Sequence, residues 1–221
     1  MVKYNPCGIF LDIIAPKICY CESCQRDMKA LGLNIENEKD REEFSQIVFN
    51  KYLEATNNAV RKFSETTTIF HNQGHIPKGD YRFIEKNTHL ELESLPTGGW
   101  GYDHFPLSAA YVRSLGNKEF LGMTGKFHHS WGEFGGFKHP NALIYEAGLS
   151  IMNGAGCSVG DQMHPSGEMN IATYNLIGKA YSMVEGKEPW LIGAENISDI
   201  AVLSAESVTG NRDVKADTGA N

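Results

Sequence analysis

Short apolar runs alternate with long amphipathic stretches along most of this chain, and that alternation limits the possible folds more than any other feature. GIFLDI (8–13), TTTIFHN (66–72), THLELES (88–94), FLGMTGKF (120–127) and GCSVGD (156–161) have strand length and a β-branched or apolar content. The segments between them have helical spacing. In residues 42–63, Phe44, Ile47, Val48, Tyr52, Ala55, Ala59 and Phe63 recur at three and four residue spacing and predict one apolar stripe laid against a sheet. Shorter helices are expected within 19–34, near 107–115, near 141–153 and over 171–186. Strand, helix, strand is the pattern of an α/β domain, because neighbouring strands run parallel only when a crossover carries the chain back.

A (β/α)8 TIM barrel needs about 250 residues and eight such units. Residues 1–190 hold five strand-plus-connection units, so the chain is expected to supply part of such a barrel, with three units absent. An open five-stranded doubly wound sheet is the alternative, although no glycine-rich phosphate-binding turn follows any strand. Beyond Trp190 the pattern changes. ISDIAVLSAES (197–207) reads as a fresh strand of buried type, and the polar VTGNRDVKADTGAN (208–221) follows without a helix. A strand with no following helix cannot cover its faces. Residues 191–221 are therefore expected to be a linker and the first strand of a second α/β domain.

Composition excludes several partners. With 41% hydrophobic and 21% charged residues the chain is that of a soluble globular protein, and a net charge of −7 with scattered Lys and Arg offers no basic stripe for nucleic acid. No apolar run approaches the roughly 20 residues that span a bilayer, so no membrane role is expected, and a cytoplasmic location is. The five cysteines are an odd number, and Cys19, Cys21 and Cys24 crowd into CYCESC. That spacing suits either a structural metal or reduced thiols. A closed zinc site wants four ligands, so Cys7, Cys157 or a residue outside the chain would be the fourth.

In parallel α/β folds the working groups lie at the C-terminal strand ends. Asp12 closes the first strand after Ile9, Phe10 and Leu11; an Asp there is either a reacting carboxylate or a cap for the next loop. In HLELES, period-two alternation puts His89, Glu91 and Glu93 on one face and Leu90 and Leu92 on the other. The leucines suit the helix layer and the carboxylates the interior. Glu93, nearer the strand end, is the better acid, with Glu91 a layer below. The following loops offer Trp100, Tyr102, His104, His128, His129 and Trp131, flat rings beside hydrogen-bonding groups of the kind a sugar's apolar face and hydroxyl rim require; packing is the competing role for each. Glu133, Asp161 and His164 complete the polar rim. His128 and His129, if on a strand, would face opposite ways.

GIFLDI with CYCESC, LELESLPTGGWGYDHFP (90–106), MTGKFHHSWGEFGGFKHP (123–140) and GAGCSVGDQMHPSG (154–167) resemble the C-terminal part of the barrel in α-L-fucosidase-like glycoside hydrolases, over nearly the whole chain. Relatives of that family include thermophile-type β-galactosidases, in which a similar C-x-C-x-x-C run after the fourth strand binds zinc and a trimerisation domain of amidotransferase-like fold follows the barrel. The resemblance implies that Gly8 to Asp12 is strand four, that the chain holds about strands 4–8, and that DIAVLSAES begins the trimerisation domain. It further implies a retaining hydrolase with Asp12, in a G-I-W/F-x-D pattern, as nucleophile. Glu93 is placed as acid/base by position, with Glu91 as its substitute. The substrate is a carbohydrate, catalysis needs no cofactor, any zinc is structural, and the full-length protein is a homotrimer. In the related β-galactosidases strand four ends in Asn-Glu, whereas here it ends in Leu-Asp, which favours the fucosidase. A β-galactosidase-type hydrolase, a zinc-dependent hydrolase and a non-catalytic fragment that binds sugar or a partner are the alternatives.

Overall fold

The run GIFL pairs in parallel with TIFH sixty residues later, and the helices between them make that pairing possible. The computed structural model describes residues 2–116, 118–133 and 135–209, which divide into two units: Met1–Gln73 with Arg82–Thr88, and Gly74–Tyr81 with the chain from His89 onward. In the first unit β1 (Gly8–Leu11) is followed by α1 (Glu22–Ala30), α2 (Glu38–Phe63) and β2 (Thr68–His71). β1 and β2 are in register from Gly8↔Thr68 to Leu11↔His71. α2 starts where Asn37 Oδ1 accepts a 2.9 Å hydrogen bond from the Lys39 N–H. Glu38 and Asp40 in its first turn and Arg61 and Lys62 in its last complement the helix dipole.

The buried face of α2 differs from the expected stripe. Phe44, Phe49, Leu53 and Val60 are buried, while Val48, Ala55 and Ala59 are exposed. Two neighbouring apolar stripes run along this helix, and tertiary contacts choose between them. Asn57, on the buried side, donates from Nδ2 to the Lys86 carbonyl at 2.7 Å and meets His71 Nε2 at 2.9 Å, and Phe49 stacks on Phe83 with ring centres 6.4 Å apart.

In chain order α3 (Tyr81–Glu85) follows β2. The second unit continues with β3 (Leu90–Glu93), α4 (His104–Ser114), β4 (Phe120–Gly125), α5 (Pro140–Met152), β5 (Gly156–Gly160), α6 (Ile171–Glu185), α7 (Glu188–Leu191) and α8 (Ala205–Thr209). Its sheet is parallel, in the order β3-β4-β5. Pro140 at the first turn of α5, capped by a hydrogen bond from the Asn141 N–H to His139 Nδ1, starts that helix, and Gly154 at φ 78° ends it. Leu143 and Ala147 of α5 and Leu176 and Ala180 of α6 form one apolar cluster, with Cys157 and Val159 of β5 against it. All the expected strands up to residue 160 are present, and all pair in parallel.

Residues 197–207 overturn the expectation of a buried strand. No strand forms there, Ile197, Ile200, Val202 and Leu203 are each more than 80% exposed, and Ala205 begins the short α8. The buried residue of the segment is instead its acid: Glu206 accepts from His75 Nε2 (2.9 Å), Lys78 Nζ (3.0 Å) and the Lys78 N–H (3.2 Å). β-propensity produces a strand only where a partner completes the ladder, and none of the described strands pairs with this stretch. The rest of the expected second domain, 210–221, lies outside the described residues. Among the described residues no helix is long and apolar enough to cross a membrane.

Candidate active site

In the first unit the parallel register that ends at Leu11↔His71 places the next residues, Asp12 and Asn72, side by side beyond the strand ends. Three hydrogen bonds join Asn72 to the turn around Asp12. The Asn72 N–H donates to the Leu11 carbonyl (2.8 Å), the Ile14 N–H donates to the Asn72 carbonyl (3.0 Å), and Asn72 Nδ2 donates to Asp12 Oδ1 (2.9 Å). Asp12 is exposed, so its carboxylate is open to a ligand. Ile13, between these contacts, has φ 52°, a left-handed conformation that costs a β-branched residue of the order of 1–3 kcal/mol and persists where surrounding contacts enforce it. His71, just before Asn72, is wholly buried, and its N–H donates to Asn87 Oδ1 at 2.7 Å. Because Asn57 Nδ2 is spent on the Lys86 carbonyl, Asn57 Oδ1 faces His71 and Nε2 carries the ring proton. Burial pushes this histidine down to about 4, so it is neutral at pH 7.

In the second unit the alternation in β3 holds. Leu90 and Leu92 are buried, and Glu91 and Glu93 are half-buried on the other face. Glu91 Oε1 lies 2.9 Å from His89 Nε2, a hydrogen bond between neighbouring side chains of the same face. Just past the strand, the Ser94 hydroxyl meets His104 Nδ1 at 3.0 Å, and Trp100 packs edge-on against His104 with ring centres 4.9 Å apart. Burial, with the charges of His75 and Lys78, pushes His104 down to about 4. It therefore serves as a neutral hydrogen-bonding group. Tyr102 is exposed and packs edge-on to Tyr145.

The loops after β3, β4 and β5 are stitched into one surface. The Gly99 N–H donates to the His129 carbonyl (3.1 Å), the Lys126 N–H to the Gly160 carbonyl (2.9 Å) and the Lys138 N–H to the Lys126 carbonyl (2.8 Å). Trp131 lies across the ends of β4 and β5, and only glycine permits that approach: a Cβ on Gly160 would sit 2.7 Å from the ring carbon Cη2. Lys126 Nζ is 3.9 Å from Asp161 Oδ1 and 4.6 Å from the centre of the Phe137 ring. Glu133 accepts from the His129 N–H at 2.7 Å, and this bond holds its carboxyl below the usual range. His128 and His129 lie in a loop rather than on a strand, so they do not face opposite ways; their rings sit 4.0 Å apart, both exposed. His164 is exposed and bonded to Ser166.

Beneath this surface lies a buried ionic network that the sequence reading missed. Glu146 accepts from Lys138 Nζ (2.6 Å), Thr124 Oγ1 (2.7 Å), Thr97 Oγ1 (2.6 Å) and the Thr97 N–H (3.0 Å), and it is 2% exposed. Thr97 and Thr124 begin the loops after β3 and end β4, so this carboxylate ties both to α5. The one signal for it was an acid in the buried stripe of α5, between Leu143 and Ala147. A neighbouring cavity of about 10 Å³, lined in part by Ser94, Phe105, Gly122 and Ser150, has the size of a single water and is no ligand pocket. Asn72 was also missed, although the strand register would have found it.

The three cysteines come together as their spacing suggested. Cys19, Cys21 and Cys24 have all their sulfurs within 4.8 Å of one another, and no fourth His, Cys, Asp or Glu joins them among the described residues. Around a tetrahedral zinc with bonds of about 2.3 Å, ligand sulfurs are about 3.8 Å apart, so the three thiols fit three corners of such a site. Cys21 precedes α1, where the Cys24 N–H, first among several hydrogen bonds, lowers its pKa, while hydrogen bonds to Cys19 and Cys21 push Cys24 up to about 12. Cys157 is committed to the α5–α6 core.

No protein-family model and no curated protein matches the chain. Among solved structures, α-L-fucosidase isoenzyme 2 from Paenibacillus thiaminolyticus matches with a TM-score of 0.88 and 53% sequence identity over 92% of this chain. The chain spans 31% of the length of that protein. Over the matched length the two are homologues.

Proposed function

We propose, from this homology to an α-L-fucosidase, that the complete protein is a retaining glycoside hydrolase acting on α-L-fucosides, with Asp12 as its nucleophile. The observation that carries the reading is the placement of Asp12: an exposed carboxylate at the C-terminal end of a parallel strand, gripped by Asn72 in a chain 53% identical to a fucosidase. In the first step a carboxylate oxygen attacks the anomeric carbon while the bond to the leaving oxygen breaks and that oxygen takes a proton from the general acid. Water, deprotonated by the same group, then releases the sugar. Glu93 is the assigned acid/base, favoured over Glu91 because it lies nearer the C-terminal end of β3. Retention requires about 5–5.5 Å between the two carboxyl groups.

Trp131, spread over the ends of β4 and β5, and Trp100, backed by His104, supply stacking faces for the pyranose. Asp161, His128, His129, His164 and Tyr102 supply polar contacts at the rim. The parallel strands are read as strands 4–8 of a (β/α)8 barrel, and residues 191–221 as the approach to a second domain through which the complete protein forms a homotrimer. Cys19, Cys21 and Cys24 would hold a zinc whose role is to brace the loop after β1, with no part in the reaction. Asp12→Asn in the complete protein is expected to reduce hydrolysis of an aryl α-L-fucoside by at least about 10⁴-fold, as loss of a nucleophile does. Wild-type turnover in that variant would refute the assignment.

A further inference from the structure

We propose that Asn72 is the positioning residue of Asp12: its amide N–H fixes Oδ1 and so leaves Oδ2 as the oxygen that attacks the anomeric carbon. The inference rests on the reading of Asp12 as nucleophile. Its basis is the asymmetry of the carboxylate's surroundings. Oδ1 accepts from Asn72 Nδ2 at 2.9 Å, and the Asp12 side chain carries no other hydrogen bond among the described residues. A carboxylate held by one oxygen has its plane and its second oxygen set by that bond.

Asn72 is itself held firmly enough to do this. Its N–H and carbonyl bracket the Asp12 turn through Leu11 and Ile14, and they keep Ile13 at φ 52° although that side chain is 88% exposed and gains no packing there. Strain kept without a packing return points to the local geometry as the thing being preserved. On the strand side, His71 locks the approach to Asn72 through Asn87 and Asn57. Two of the three links between Asn72 and the Asp12 turn are main chain, so a side-chain change leaves them in place.

The test compares Asn72→Ala and Asn72→Asp in the complete protein, in the natural background and in an Asp12→Ala background supplied with azide, which replaces the missing nucleophile. With an activated aryl α-L-fucoside, Asn72→Ala is expected to lower kcat about 100-fold with KM changed less than about threefold. Labelling of Asp12 by a 2-deoxy-2-fluoroglycosyl fluoride, read by mass spectrometry, slows by the same factor. In the Asp12→Ala background the azide-dependent rate changes less than about twofold, because a residue acting through Asp12 has nothing left to act on. Asn72→Asp, which sets one carboxylate against another with nearly unchanged shape, is expected to lose at least as much and decides the matter if the alanine variant folds poorly. Wild-type kcat and labelling rate in either folded variant, or equal losses in both backgrounds, overturns the proposal. An Asp12→Ala enzyme active without azide overturns the nucleophile assignment instead, and the two failures are distinct.

Discussion

Removing the Lys138 ammonium should destabilise the protein by more than almost any other single side-chain change in the second unit. Both charged partners are about 1% exposed, and the Glu146 carboxylate accepts one charged and three neutral hydrogen bonds. In Lys138→Met the aliphatic stem still fills its place and the Lys138 N–H still bonds the Lys126 carbonyl, so the loss is confined to the ammonium. What remains is a buried carboxylate with no counter-charge. Breaking a buried pair from one side costs about 3–5 kcal/mol, whereas the neutral Thr donors can at most retain the part they already supply. With a urea slope of about 2 kcal/mol/M the unfolding midpoint of the complete protein should fall by roughly 1.5–2.5 M. Glu146→Gln in the same chain removes the stranded charge while keeping an acceptor for the Thr97 donors. The double variant should therefore recover at least about 1.5 kcal/mol of the single-variant loss. A Lys138→Met midpoint within about 0.5 M of wild type, or a double variant no better than the single one, would refute the view that the pair is desolvated and mutually dependent.

Two further outcomes are expected. His71 and His104 are both pushed down to about 4 by burial from an ordinary value of 6.5, so between those values the unfolded chain binds more protons than the folded one and stability rises with pH. Their contribution is complete above pH 6.5 and is lost as pH falls through about 4; urea midpoints measured from pH 4 to 7 should climb, and His71→Gln should flatten the climb. The protein purified without chelator should carry one zinc per chain by elemental analysis, and the Cys19→Ser/Cys24→Ser variant none; aryl fucoside turnover at saturating substrate should persist in that variant at a temperature where it stays folded, and its loss there would assign the metal to the chemistry.

The strand positions, the parallel class and the face of β3 were legible in the sequence because each depends on short-range pattern: the alternation in LELE marks one buried face, and the unbroken burial of Ile69, Phe70 and His71 suits a strand covered on both sides. The clustering of Cys19, Cys21 and Cys24 was legible for the same reason, since a six-residue span can bring three sulfurs together locally. The face of α2 was not, because apolar residues stand on two neighbouring sides of the helix, and the side that is buried carries Asn57, whose partners His71 and Lys86 are distant in sequence.

What the sequence determined by itself was the order of the elements, the kinship that points to fucoside chemistry, and Asp12 as the carboxylate to watch. Only the tertiary structure decided which groups surround it. Asn72 reaches Asp12 because two strands sixty residues apart share a register, and Glu146 finds Lys138, Thr124 and Thr97 because α5 lies across the sheet. Glu206 became the buried residue of a segment whose pattern reads as a strand, because His75 and the Lys78 ammonium offered a carboxylate hydrogen-bonding partners while no described strand offered Ile200 or Val202 a ladder. Buried polar contacts are made between residues remote in the chain, and their energy depends on desolvation and distance, neither of which exists until the chain has folded.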